Sequence, residues 1–341
     1  MRFNPLAKKE SLKRDYEILS QSLKSEVLLL TRMRHPHIAR ICDPLIEQNS
    51  IIAFTSEILH ATLSHFLTNT SQIPSSTMNL AYYFEGKELN ELSIQLGILQ
   101  ISKALIFLQL NLVVLGCIEP SSIFIDTKGD WKLSGFFSAA LLNNGEEGIC
   151  NSFLPSYCTP ALGFFPPEVI CDRKCYQKSD VWAFASLIFA VFNAGQPVVS
   201  CNNPTDFKSE VERLSVASLR NVPPLLQPIL KIMLKCDYSA RCDLETLTDC
   251  QYFQTGALQS MIFIESFIEK SLMEKVKFLK DFVKTLPLLS FKLVVSKILP
   301  VLIDDLKEES LVIFLLPSML WFICQVTQGS VKGAQWKIFQ N

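Results

Sequence analysis

Read for the spacing of apolar positions alone, the chain has a mixed first part and a purely helical last part. Residues 11 to 34 place Leu19, Leu23, Val27 and Leu30 on one face and charges on the other, the pattern of an amphipathic helix. The run Arg34-His35-Pro36-His37-Ile38 stops it. Arg40 to Glu47 and Ile51 to Glu57 then predict two strands around the polar turn Gln48-Asn49-Ser50. Ile58 to Leu67 is expected to lead into a helix, and the polar residues 68 to 87 read as a surface insertion. Leu92, Leu96, Leu99, Ile101, Leu105 and Leu108 predict a long buried helix between Leu89 and Leu112. Val181 to Phe192 is apolar all round, as in a helix enclosed by its own domain. From Gly256 only helical patterns remain: Leu258 to Ile268, Leu272 to Leu286, Phe291 to Leu306 and Leu311 to Val326, punctuated by Pro287, Pro300 and Pro317.

The last of these runs is the most apolar, and it is too short for a membrane span, which needs about 20 apolar residues. Glu308 and Glu309 bound it on one side, and Pro317 interrupts it. Paired helices that cannot bury their faces alone form solenoids, usually of about three or more repeats. About two pairs are legible here, so the array is expected to be truncated or to end on an interface. Leu315, Leu316, Leu320 and Trp321 are the interface candidates.

Composition narrows the picture modestly. The 341 residues suggest about two domains. A net charge of -1 supplies no basic footprint for nucleic acid or anionic membrane. Eleven irregularly spaced cysteines, with no basic and apolar leader, predict a reducing, cytoplasmic location. Cys171 and Cys175 lack the second ligand pair of a zinc site, and His60 and His65 have no partner at ligand spacing, so no metal is expected.

Candidate chemistry centres on Leu115-Gly116-Cys117-Ile118-Glu119-Pro120-Ser121-Ser122-Ile123-Phe124-Ile125, followed by Trp131-Lys132-Leu133-Ser134-Gly135-Phe136-Phe137. The frame resembles the catalytic centre of a protein kinase, in which an Asp takes the substrate proton, an Asn holds magnesium and an Asp-Phe-Gly supplies a second metal carboxylate. In that frame Cys117 stands at the first Asp, Ser122 at the Asn and Gly135 at the second Asp, while Glu119 replaces a phosphoryl-neutralising lysine. A thiol of ordinary pKa about 8.5 with no neighbour to lower it is a poor base. A carboxylate at position 119 repels the group a lysine would attract.

The resemblance extends both ways. Upstream, Glu26 precedes His35-Pro36 at the distance of the small-lobe helix glutamate, and Lys8 or Lys9 falls near its strand lysine, giving a remnant ion pair unless these are solvated surface charges. The first glycine is Gly86, and only eight residues precede Lys9. A phosphate-cradling glycine loop and its strands are therefore not expected. Downstream, Pro166-Pro167-Glu168 and Ser179-Asp180-Val181-Trp182 resemble supporting motifs of the large lobe, with Arg241 at the position that pairs with Glu168 and Asp180 positioned to bind the catalytic-loop backbone.

Leu30-Thr31-Arg32-Met33-Arg34-His35-Pro36, Ala190-Val191-Phe192-Asn193-Ala194-Gly195-Gln196-Pro197 and the Leu286-Pro287 and Leu299-Pro300 helices are similar to the Scy-one-like pseudokinase family, above all to its branch associated with clathrin-coated vesicles. The resemblance implies an α+β protein-kinase-like fold with a truncated small lobe lacking the glycine loop, followed by an all-α HEAT-like segment. It implies residues 1-255 as the degenerate kinase domain (small lobe about 1-58, large lobe about 59-255) and 256-341 as helical repeats. It further implies a scaffold without cofactor whose partners are vesicle-coat or trafficking proteins, held peripherally on Golgi, endosomal or coated-vesicle membranes. An atypical kinase with weak ATP binding is the competing expectation.

Overall fold

In the computed structural model the described residues are 5–48, 51–68, 89–143, 146–150, 154–155, 158–201, 203–214 and 219–331, so all but the first residue of the expected polar insertion lies outside them. Helix α1, Pro5–Arg32, begins earlier than the apolar pattern predicts. A proline is tolerated in a first helical turn, where its missing N–H has no partner to lose. Val27 and Leu30 are the buried positions near its end. Strands β1 (Ile41–Gln48) and β2 (Ile51–Ser56) pair antiparallel with Ile46 opposite Ala53 and Gln48 opposite Ile51.

Leu59–Thr62, expected to run directly into a helix, is instead a strand, β3, and the short helix α2 (Leu63–Leu67) follows it. β3 is the edge of a three-stranded sheet with β5 (Ile123–Asp126) and β6 (Trp131–Leu133), in the order β3-β5-β6. The stretch after α1 joins β6: the Ala39 N–H donates to the Leu133 carbonyl at 2.9 Å and the Leu133 N–H to the His37 carbonyl at 2.8 Å. Helix α3, Glu91–Leu110, is capped by Asn90, whose side chain accepts from the Ser93 N–H at 2.8 Å. It is the one helix among the described residues long and apolar enough to cross a membrane, and its apolar side chains Ile98, Ile101, Leu105 and Leu108 are buried within the domain. Gly97 lies against the Trp131 indole, where a Cβ would come within 2.2 Å of the ring.

β4 (Val113–Val114) and β7 (Ala140–Leu141) pair, as do β8 (Gly148–Ile149) and β9 (Lys174–Cys175). Helix α4 (Pro167–Asp172) precedes β9, and α5 (Ser179–Phe192) is buried from Ser179 to Val191. Three shorter helices complete this part: α6 (Pro204–Glu212), α7 (Gln227–Met233) and α8 (Leu244–Thr248).

The chain divides into two compact units, Met1–Tyr252 and Phe253–Asn341. The second is helical: α9 (Gly256–Glu265), α10 (Leu272–Thr285), α11 (Phe291–Leu293), α12 (Leu299–Asp304) and α13 (Glu309–Val331). Ser271 and Glu274 cap α10 reciprocally. A π-turn, Val294–Ile298, joins α11 to α12 just ahead of Pro300. The proline has no N–H to offer the Ser296 carbonyl, and the widened turn absorbs that loss. Phe263, Phe278 and Phe282 stack at ring separations of 4.2 and 4.8 Å beside the buried Leu258, Met261, Phe267 and Leu279.

Of the interface candidates, Leu315 is 0% exposed and belongs to the inward stripe Leu311, Leu315, Ser318 and Phe322, with α13 packed against α10. It is a core residue, and Trp321 is partly buried. Leu316 and Leu320 do face outward, beside Ile313 and Ile323, at spacings of three and four residues.

Candidate functional site

The loop from Leu115 to Ser122 is fixed by α5. Asp180, fully enclosed at the start of that helix, accepts from the Leu115 N–H at 2.8 Å and from the Gly116 N–H at 2.8 Å. Burial raises its carboxyl pKa to about 6, against the pull of those two bonds, and the Glu168 charge adds to the rise. Gly116 sits at φ +73°, with the Cys150 sulfur 2.5 Å from where a Cβ would stand, so the turn requires glycine.

Cys117 follows immediately and is 1% exposed. It packs with Val114, Ala140, Cys150, Phe164 and Cys175 in an apolar cluster. Burial pushes its thiol pKa well up, and the charges of Glu119 and Asp180 push the same way. A buried, protonated thiol is neither base nor nucleophile. Burial also raises the Glu119 pKa, and Ser121 donates to its carboxylate.

Ser122 closes the short 3-10 turn Pro120–Ser122. Its hydroxyl donates to the Glu119 carbonyl at 2.7 Å and accepts from the Glu119 N–H at 3.2 Å. The oxygen expected at a metal position is thus committed to its own loop. Gly135 lies beside it in the left-handed region, φ +76°, ψ +44°. A Cβ there would stand 2.5 Å from the Ser122 Cβ. The site has neither a carboxylate at position 135 nor space for one on this backbone.

Glu26 reaches this same turn. Its carboxylate accepts from the Gly135 and Phe136 N–H groups, each at 3.1 Å. Burial raises its pKa, while those two bonds and the Ser134 hydroxyl lower it. Lys8 and Lys9, expected on a strand facing Glu26, lie in α1 itself. At 1.5 Å per residue the 17 or 18 residues between them and Glu26 span about 26 Å of helix axis, beyond any lysine's reach. The helix backbone thus sets both positions well apart from Glu26, whose carboxylate is held by backbone amides.

The supporting positions meet as pairs. Arg241 binds Glu168 through two parallel bonds of 2.7 and 2.8 Å, and both residues are buried. Its remaining donors reach the carbonyls of Lys235 at 2.9 Å, Lys178 at 3.1 Å and Cys236 at 3.2 Å, while the Ser179 hydroxyl donates to Glu168 at 2.6 Å. Trp182 is fully enclosed, with its ring 5.9 Å from that of Phe207. No group of three His, Cys, Asp or Glu that could hold a metal occurs among the described residues.

Sequence reasoning missed Ser22, whose hydroxyl donates to the Phe137 carbonyl at 3.1 Å. Its signal was the four-residue spacing to Glu26, which puts both on one helix face. It also missed Ser138, which donates to the Leu115 carbonyl at 2.6 Å and ties the two halves of the site together.

A family model described as protein kinase domain matches residues 4–253. The protein kinase domain-containing protein ppk32 of Schizosaccharomyces pombe is 32% identical over 94% of this chain and 43% of its own. SCY1-like protein 2 of Homo sapiens is 30% identical over 88% of this chain and 33% of its own. The protein kinase-like protein SCY1 of Saccharomyces cerevisiae is 25% identical over 89% and 39%. The chain thus spans less than half the length of these relatives.

Proposed function

Because the chain belongs to the protein kinase domain family, on its SCY1-like branch, we propose that it is a catalytically inactive scaffold that binds proteins of the vesicle-coat and Golgi-endosome machinery. One observation carries the loss of chemistry. The side chains at the three reactive positions are turned to structural ends: Cys117 is enclosed in an apolar cluster, Ser122 closes its own turn, and Gly135 has no room for a Cβ. Phosphoryl transfer rests on positioning and charge stabilisation, and neither is supplied by a protonated thiol and a glycine. The supports of the large lobe, Asp180 and the Glu168–Arg241 pair, are intact, as a binding fold requires. On this reading the protein works in the cytoplasm and reaches Golgi, endosomal or coated-vesicle membranes through its protein partners.

Thermal denaturation of the purified chain with ATP, with magnesium and then with chelator, tests the first half. A bound ligand at 100 times its Kd stabilises by about 2.7 kcal/mol, and no shift is expected. A shift abolished by chelator, with phosphate transfer to a peptide, would establish an atypical kinase instead. Co-sedimentation with purified coat proteins tests the second half, and its absence removes the trafficking assignment.

A further inference from the structure

In a catalytic kinase the segment after the metal aspartate is movable, and nucleotide and helix position are coupled through it. Here the corresponding segment, Ser134 to Ala139, is held by hydrogen bonds along its length. The Ser134 N–H donates to the Ser122 carbonyl at 2.9 Å, and the Ala139 N–H to the Phe136 carbonyl at 3.1 Å. Glu26 accepts from Gly135 and Phe136, and Ser22, one turn earlier on α1, donates to the Phe137 carbonyl. The Ser138 hydroxyl reaches the Leu115 carbonyl, and the Phe136 ring is buried.

We propose that Ser22 and Glu26 form a staple that locks this segment and α1 together without any nucleotide, so that the surface following it is presented in one constitutive conformation. Moving the segment would leave the half-buried Glu26 carboxylate without its two N–H donors, a cost that a weakly bound ligand does not offset. The inference deepens the scaffold reading and rests on it: partner binding by this lobe is ungated by nucleotide.

Hydrogen exchange of the full chain, followed by mass spectrometry, tests it. In Glu26→Ala, exchange in peptides covering 13–32 and 134–139 should rise by roughly tenfold or more, since a hydrogen bond to a charged group contributes more than one tenfold step. Glu26→Gln, which keeps an acceptor, should show a smaller rise, and Ser22→Ala a smaller one still in the same peptides. Peptides from α5 should stay protected. If Glu26→Ala leaves both segments as protected as the parent, there is no staple. Should Glu26→Ala lose protection in α5 as well, Ser22→Ala decides: unchanged exchange at 134–139 overturns the proposal. The two readings separate cleanly. Nucleotide binding with phosphate transfer to a peptide, and no change at 134–139, sinks the inactive-scaffold reading and leaves the staple standing, whereas unprotected behaviour of the staple variants' parent without nucleotide sinks only the staple.

Discussion

Two polar constellations lie within one domain, and they treat their charges differently. Around Arg241 a guanidinium and a carboxylate are buried together, and the Arg241 nitrogens and the Glu168 carboxylate are all bonded. Around Cys117 the side-chain oxygens of Ser122 and Glu119 bond within their own loop, and the thiol is closed into an apolar cluster. Groups whose task is to hold backbone in place keep their charge, because removing one partner strands the other. Groups whose task would be to meet a ligand have no such internal obligation and have turned inward. On the scaffold reading proposed above, a position keeps its kinase-like role where its partner lies inside the protein and gives it up where the partner would be a ligand.

That contrast can be broken first at its strongest point. Arg241→Ala should cost about 3–5 kcal/mol by leaving Glu168 buried and unpaired, read as a fall in the denaturation midpoint. Replacing both residues, as Arg241→Met with Glu168→Leu, should recover most of that loss. Next, Gly135→Ala should cost about 2–4 kcal/mol, from a left-handed backbone and the collision with Ser122. In a Ser122→Gly background the penalty should shrink measurably, and a double-mutant cycle with no coupling would show that the two positions do not interlock. Cys117→Ala should cost only about 1 kcal/mol, as a small buried cavity does, and leave partner capture unchanged in a pulldown.

The smallest effect is a pH dependence with two opposing parts. His37 is half-buried and loss of hydration lowers its pKa to about 4, so it stays neutral in the fold and takes a proton when unfolded. Its contribution is complete above the ordinary value of about 6.5 and is lost as pH falls toward 4. Asp180 has the opposite sign: its raised pKa, about 6, means that the fold gains as pH drops through the same window. The parent chain should therefore show a shallower urea-midpoint change between about pH 7 and pH 4.5 than Asp180→Asn does. His37→Gln should shift the balance the other way, and identical slopes in all three would show that neither group titrates as described.

What the sequence made legible follows from range. The pairing of Arg241 with Glu168 and the bonds from Asp180 to the loop were readable because fixed motif spacings carry them. β3 was not, because four residues, Leu59–Thr62, are too few to show a period and their partner strand lies some sixty positions on. Lys8 and Lys9 were misplaced because the apolar pattern of α1 begins only after them, so nothing marked their turn as helical. Leu315 was assigned to the surface because α13 is apolar nearly all round, and periodicity cannot choose an inward face on such a helix. Only packing against α10 distinguishes Leu315 from Leu316.

The contact between positions 122 and 135 also bears on whether two metal ligands could be built here by substitution. The obstacle to an aspartate at 135 is the Cβ of residue 122, which asparagine possesses as fully as serine does. Restoring both metal ligands by substitution would therefore place two Cβ atoms where one fits, and no order of the two changes avoids it. The backbone of the turn would have to move first, against the amides that hold Glu26. On the scaffold reading, side-chain substitution alone cannot build a metal site here; the main chain has to change as well.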